Sequence, residues 1–154
     1  MGWEVVNYGQ NGLRIPRETQ FSAIADQLRR TGSADVVTIM LGGNDLLNGL
    51  GAEETATRMG ALLRCMRKHM GSAVLLLIAP PPLRFGDWVQ TQALIDESKQ
   101  LGGLYRELAG RVGVAFADAG AWVVALTFDG VHFSPDGHAA FAKGLARILT
   151  EVTR

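Results

Sequence analysis

A single cysteine, Cys65, stands among 154 residues. It excludes an internal disulfide, and no Cys/His cluster accompanies it to suggest zinc. Excess charge of one sign is also missing: Lys plus Arg number 15 and Asp plus Glu number 15. That balance argues against an electrostatic nucleic-acid binder and against a polybasic membrane-surface protein. The longest apolar runs, such as 73–82, are too short to span a bilayer. The opening residues show no basic stretch leading into an apolar core, so no signal peptide is read and a cytoplasmic location is the default expectation. What remains is globular: 47% hydrophobic, 19% charged and 19 glycines, the composition of one loop-rich domain over residues 1–154.

Short apolar runs alternate with longer amphipathic ones. Trp3–Val6, Val36–Leu41, Val74–Ile78 and Val114–Ala117 read as strands, the second stopped by Gly42-Gly43 and the third by Pro80-Pro81-Pro82. Between them, Phe21, Ile24, Ala25 and Leu28 fall on one helical face. So do Met59, Leu62, Leu63, Met66 and Met70, and then Leu94, Leu101, Leu104, Tyr105 and Leu108. A last helix is predicted from about Pro135 to Val152, with Ser134 as its cap and Phe141, Leu145, Ile148 and Leu149 as its inner stripe. Strand alternating with helix predicts an α/β domain, a mostly parallel sheet with helices on both faces.

In such sheets ligand sites gather at the carboxyl ends of the strands. The loops that leave those ends carry Gly9, then Gly42-Gly43-Asn44-Asp45, then Pro80-Pro81-Pro82-Leu83; Asp129-Gly130-Val131-His132 precedes the last helix. A glycine N–H and an asparagine amide converging on one point supply what an oxyanion hole needs. An Asp three residues before a His can fix one imidazole tautomer while the other nitrogen acts as base. Taken singly, each has a plainer reading: Gly9 as a turn glycine, Asn44-Asp45 as a helix-capping pair, Asp129 and His132 as a surface pair. His138 reads as structural or rim-lining, and Cys65 as core.

Taken together, the segments resemble the SGNH (GDSL) hydrolase family. Asn7–Gly12 matches its second block, Leu41–Asp45 its third and Asp129–His132 its fifth; Ala79–Leu83 and Asp118–Gly120 look like its aryl-esterase and acyltransferase branch. The resemblance implies a three-layer, flavodoxin-like parallel sheet. It implies hydrolysis of a small acyl or aryl ester, or transfer of its acyl group, through an acyl-enzyme. By resemblance Gly9 and Asn44 donate to the oxyanion, His132 is the base and Asp129 orients it, with no metal or organic cofactor.

The family's nucleophile is a serine in a Gly-Asp-Ser block ending the first strand, and this sequence has none. Its serines are Ser22, Ser33, Ser72, Ser98 and Ser134, and no one of them follows an apolar strand. The chain therefore reads as lacking the first strand and its crossover helix, roughly 30 residues. In the order 2-1-3-4-5 that strand is central. Its loss leaves ladder groups that cost about 1–3 kcal/mol each if buried dry. A complementing N-terminal segment, a partner chain or self-association would fill the place. By itself the chain is expected to be nearly inactive; the alternative is a catalytically inactive binding module on the same scaffold. Phe85, Trp88, Trp122 and Phe128 are the candidate lining of a short acyl or aryl pocket, with packing under a loop as their plainer reading.

Overall fold

The computed structural model describes residues 3–30, 32 and 34–154. Met1, Gly2, Thr31 and the candidate Ser33 lie outside that set. Three parallel strands, β1 (Val36–Ile39), β2 (Val74–Ala79) and β3 (Ala115–Asp118), form one sheet in the order β1-β2-β3. Among the described residues five α-helices accompany them: α1 (Phe21–Arg30), α2 (Gly43–Leu47), α3 (Ala52–His69), α4 (Gln92–Val112) and α5 (Pro135–Val152).

The two faces of the sheet follow from the period of two along each strand. Leu75, Leu77 and Ala79 of β2 face the larger cluster, which also takes Phe21 and Ala25 of α1, Met59, Leu63 and Met66 of α3, and Leu101, Tyr105 and Leu108 of α4. Leu76 and Ile78 face the other way, with Ala117, onto Phe141, Leu145, Ile148 and Leu149 of α5. The result is three layers, α1/α3/α4 over the sheet over α5. β2, paired on both sides and apolar on both faces, is its centre.

One expected strand does not form. Trp3–Val6 has no regular structure, and Val5 is 80% exposed. A short apolar strand is stable only when paired, and no strand lies between this segment and β1. The three strands that do form run in chain order, as strands 3, 4 and 5 of the flavodoxin-like arrangement do. β1 is consequently an edge among the described strands: Val36, Val37 and Ile39 are only half-buried and Thr38 is exposed. The inner stripe of α5 is also only half-buried; Gly137 is the helix's one buried residue.

At the carboxyl end of β1 the chain turns sharply into α2 through Gly42, whose φ of 117° belongs to the left-handed region. A side chain there would also collide with Tyr105, since a Cβ would lie 2.4 Å from its hydroxyl oxygen. That fully buried hydroxyl donates to the Leu41 carbonyl at 3.0 Å, pinning the turn against α4. Gly42→Ala is therefore expected to destabilise the fold by about 2–4 kcal/mol through strain and overpacking. Urea denaturation measures this, and a loss below about 0.5 kcal/mol would contradict it.

Candidate active site

The polar residues gather at the carboxyl ends of the strands, and backbone pairing between two loops builds the centre. The loop leaving β2 lies against the 127–130 turn: Arg84 N–H donates to Gly130 O at 3.1 Å, Asp87 N–H to Phe128 O at 3.2 Å, and Trp88 N–H to Asp129 O at 3.1 Å. Such contact requires glycine at position 86. A Cβ there would lie 2.3 Å from the Asp129 carbonyl carbon and 2.4 Å from Gly130 N. The turn itself is closed by Gly130 N–H to Thr127 O at 3.1 Å and by Thr127 N–H to His132 O at 2.7 Å. Ser134 then caps α5, accepting from Gly137 N–H.

Within this frame Asp129 is 7% exposed and fully engaged. Its Oδ1 accepts from Val131 N–H at 2.8 Å and His132 N–H at 2.9 Å, while its Oδ2 accepts from His132 Nδ1–H at 2.7 Å. Burial opposes ionisation of Asp129, but the hydrogen bonds from the His132 ring and from the two backbone amides outweigh it. They hold the carboxyl well below the ordinary carboxylate range. An ionised carboxylate has no proton to give, so the His132 proton sits on Nδ1 and leaves Nε2 as the basic nitrogen. The ring is 56% exposed, and the edge of Trp88 meets it with centroids 5.0 Å apart. This dyad can accept a proton from a hydroxyl or water and return it to a leaving group.

Asn44 and Asp45 stand at the start of α2 and grip the segment that follows the Gly9 turn. Asn44 Nδ2 donates to Leu13 O at 3.0 Å, and buried Asp45 accepts from Ile15 N–H through Oδ2 at 3.0 Å. Gly9 N–H donates to the side chain of Asn7 at 2.8 Å, in an exposed turn. Both donors read as oxyanion groups thus have an internal acceptor here, although the Asn44 amide keeps a second hydrogen. Leu47 of α2 and Val131, the neighbour of His132, pack against one small cluster of Leu83, Val89 and Ile95, which sets α2 beside the dyad's turn.

Of the four aromatics, Phe85, Trp88 and Phe128 stand on the two paired loops, exposed at 63%, 59% and 80%. Trp122 is apart from them: it packs on Phe141, centroids 5.2 Å apart, beneath α5. His138 meets Phe133 edge-on. The clamp between the 84–88 loop and the dyad's turn was not read from sequence; the glycine at position 86 was the one signal for it.

Burial pushes the Asp45 carboxyl above its ordinary value, against the lowering effect of the Ile15 amide and nearby arginines. Burial, with the Asp45 charge beside it, raises the Tyr105 phenol likewise. Among the described residues no group of three His, Cys, Asp or Glu side chains is arranged to hold a metal, and no helix is long and apolar enough to cross a membrane.

The family model of GDSL-like lipases and acylhydrolases matches residues 1–140. The chain belongs to that family. Among solved structures it is similar to Est24, a carbohydrate acetylesterase from Sinorhizobium meliloti, at 27% identity and a TM-score of 0.71, over 88% of this chain and 67% of that one. A carbohydrate acetylesterase family member from the same organism matches at 24% identity and a TM-score of 0.75, over 86% of this chain and 68% of that one. The native aryl esterase of M. smegmatis gives a TM-score of 0.81 at 24% identity, over 97% of this chain and 79% of that one. No curated protein matches the sequence. The family and the three-layer α/β fold are those that the third and fifth sequence blocks imply.

Two stability tests separate the roles of the carboxylates. Folding lowers the Asp129 pKa from an unfolded value of about 3.9, so its ionised form adds stability above that pH, and the contribution is lost as pH falls toward the folded value. The stability gap between wild type and Asp129→Ala should be full above about pH 4 and shrink below it; a gap that widens in acid would refute this. Asp45 is the reverse case. Its raised pKa favours the fold below about pH 3.9 and loses that contribution as pH rises through the folded value. Asp45→Asn keeps an acceptor for Ile15 without the charge and is expected to match or exceed wild-type stability at pH 7. Asp45→Ala orphans the amide and is expected to lose about 1–3 kcal/mol.

Proposed function

We propose that the chain supplies the general base, its orienting acid and part of the substrate wall of an ester hydrolase or acyltransferase acting on small acyl or aryl esters. The Asp129–His132 pair carries this reading: a buried, ionised acceptor 2.7 Å from Nδ1 leaves Nε2 free for proton transfer. Nε2 takes the proton of an attacking hydroxyl and returns it to the departing alcohol, while Asp129 stabilises the imidazolium between the two steps. The second amide hydrogen of Asn44, and the Gly9 N–H once released from Asn7, are the proposed oxyanion donors. Phe85, Trp88 and Phe128 offer an apolar wall for an acetyl or aryl group. Acetylated sugars and aryl esters are the substrate classes to test first, in keeping with what the related structures are named for.

The attacking hydroxyl is proposed to come from polypeptide other than the described serines. Ser98 is buried between the Leu83 amide and the Ile95 carbonyl, and Ser134 is spent on the α5 cap. Ser72 lies just ahead of the amino end of β2, and Ser22 is on α1. Among the described residues no hydroxyl or thiol is hydrogen-bonded to His132. The unpaired edge of β1, beside a half-buried α5 stripe, is the proposed seat of a strand that brings the nucleophile to the rim. That strand belongs to a complementing segment. The same lack of a hydroxyl supports a second reading, a binding module that holds an ester without cleaving it.

Reaction with a fluorophosphonate and turnover of p-nitrophenyl acetate test the proposal. The chain alone is expected to hydrolyse near background. Once complemented, it should label on one serine of the added strand, and His132→Ala should lower kcat at least about a thousandfold. Brisk turnover by the chain alone, abolished in His132→Ala, would overturn the external nucleophile. Labelling nowhere in the complemented protein would leave the binding module.

A further inference from the structure

A cavity of about 410 Å³ is lined by Arg84 and Phe85 of the loop leaving β2 but by neither His132 nor Trp88. Its walls are apolar, from Pro82, Leu83, Ile95 and Val124, and its rim carries Arg84 and Lys99 but no Asp or Glu. Its volume is that of a small organic molecule, and it is open to solvent. Lys99 shares its charge with Asp96 at 3.4 Å, and Gln92 donates to the same carboxylate at 2.8 Å. Arg84 differs. Its backbone is fixed by the bond to Gly130, yet its guanidinium has no hydrogen bond or ion pair with any described residue.

A second observation marks the same place. Val123, on the rim, is the one described non-glycine residue with positive φ, at 55°, and its side chain is 80% exposed. A β-branched residue in the left-handed region is an outlier that the surrounding structure must sustain, and such strain gathers at ligand sites. Val123 and Arg84 line the same cavity, and a guanidinium's planar fork matches a carboxylate.

We propose that this cavity is a binding site for a small amphiphilic carboxylate, its aromatic or branched body between Leu83, Ile95 and Val124 and its carboxylate on Arg84. Because Arg84 N–H is bonded to Gly130 in the dyad's turn, an occupied cavity braces the loop that carries Trp88. The cavity shares Phe85 with the proposed ester wall, but its test requires no turnover.

Sodium benzoate, titrated by calorimetry and by amide NMR, is the probe. A Kd of about 1 mM is expected for so small a ligand, with shifts centred on Gly120 and Val124. Arg84→Gln should weaken binding at least about tenfold, and benzyl alcohol, the same ring without charge, should bind wild type at least about tenfold more weakly. Absence of benzoate binding, shifts centred elsewhere, equal affinity for benzyl alcohol, or an unchanged Kd in a folded Arg84→Gln would each overturn the proposal. Were Arg84→Gln to unfold, the benzyl alcohol comparison on wild type decides alone.

Discussion

The Asp129 carboxylate accepts three hydrogen bonds inside one four-residue turn, and the chemistry of the rim depends on them. Two backbone amides shape the turn and the third bond orients an imidazole, so the group that folds the loop also sets the tautomer of His132. Burial alone would favour a neutral carboxyl; the donors reverse that preference. The turn is held in turn by the loop leaving β2, whose backbone meets it closely enough to exclude any side chain at position 86. The dyad is thus tied to the most buried strand of the sheet.

The same sheet is unequal in its support. β2 has a partner on each side and helices on each face, whereas β1 is unpaired along one side and only half covered. The chain belongs to the GDSL-like family, and the packing of Leu47 and Val131 on Leu83, Val89 and Ile95 sets α2 beside the dyad's turn; the proposed seat of the attacking hydroxyl is the open edge of β1. A fold built outward from β2 can hold base and orienting acid rigidly while the opposite edge stays open.

Local signals made much of this legible in the sequence. The apolar run Val74–Ile78, stopped by Pro80-Pro81-Pro82, reads as a buried strand, and Ser134-Pro135 marks the start of α5 to the residue. Asp129 and His132, three apart across Gly130, could be read as a pair because a turn of that length lets one carboxylate reach both amide and ring. What depended on distant neighbours was not readable. Trp3–Val6 has strand composition, yet a strand needs a partner, and none lies beside it. Trp122 looked like its fellow aromatics until α5 claimed it through Phe141 and Gly144. The Asn44 amide was seen as a donor, but its acceptor, the Leu13 carbonyl, is set by how the first loop lies against α2.

The tautomer of His132 is the most direct test of the central claim. Nitrogen-15 NMR of the imidazole, at a pH where it is neutral, distinguishes a ring protonated on Nδ1 from one protonated on Nε2. With Asp129 ionised and bonded to Nδ1, the expected spectrum shows a protonated Nδ1 and a bare Nε2, and Asp129→Ala abolishes that preference. A neutral ring carrying its proton on Nε2 in the wild type would contradict the account, for it would leave no base on the open side of the dyad.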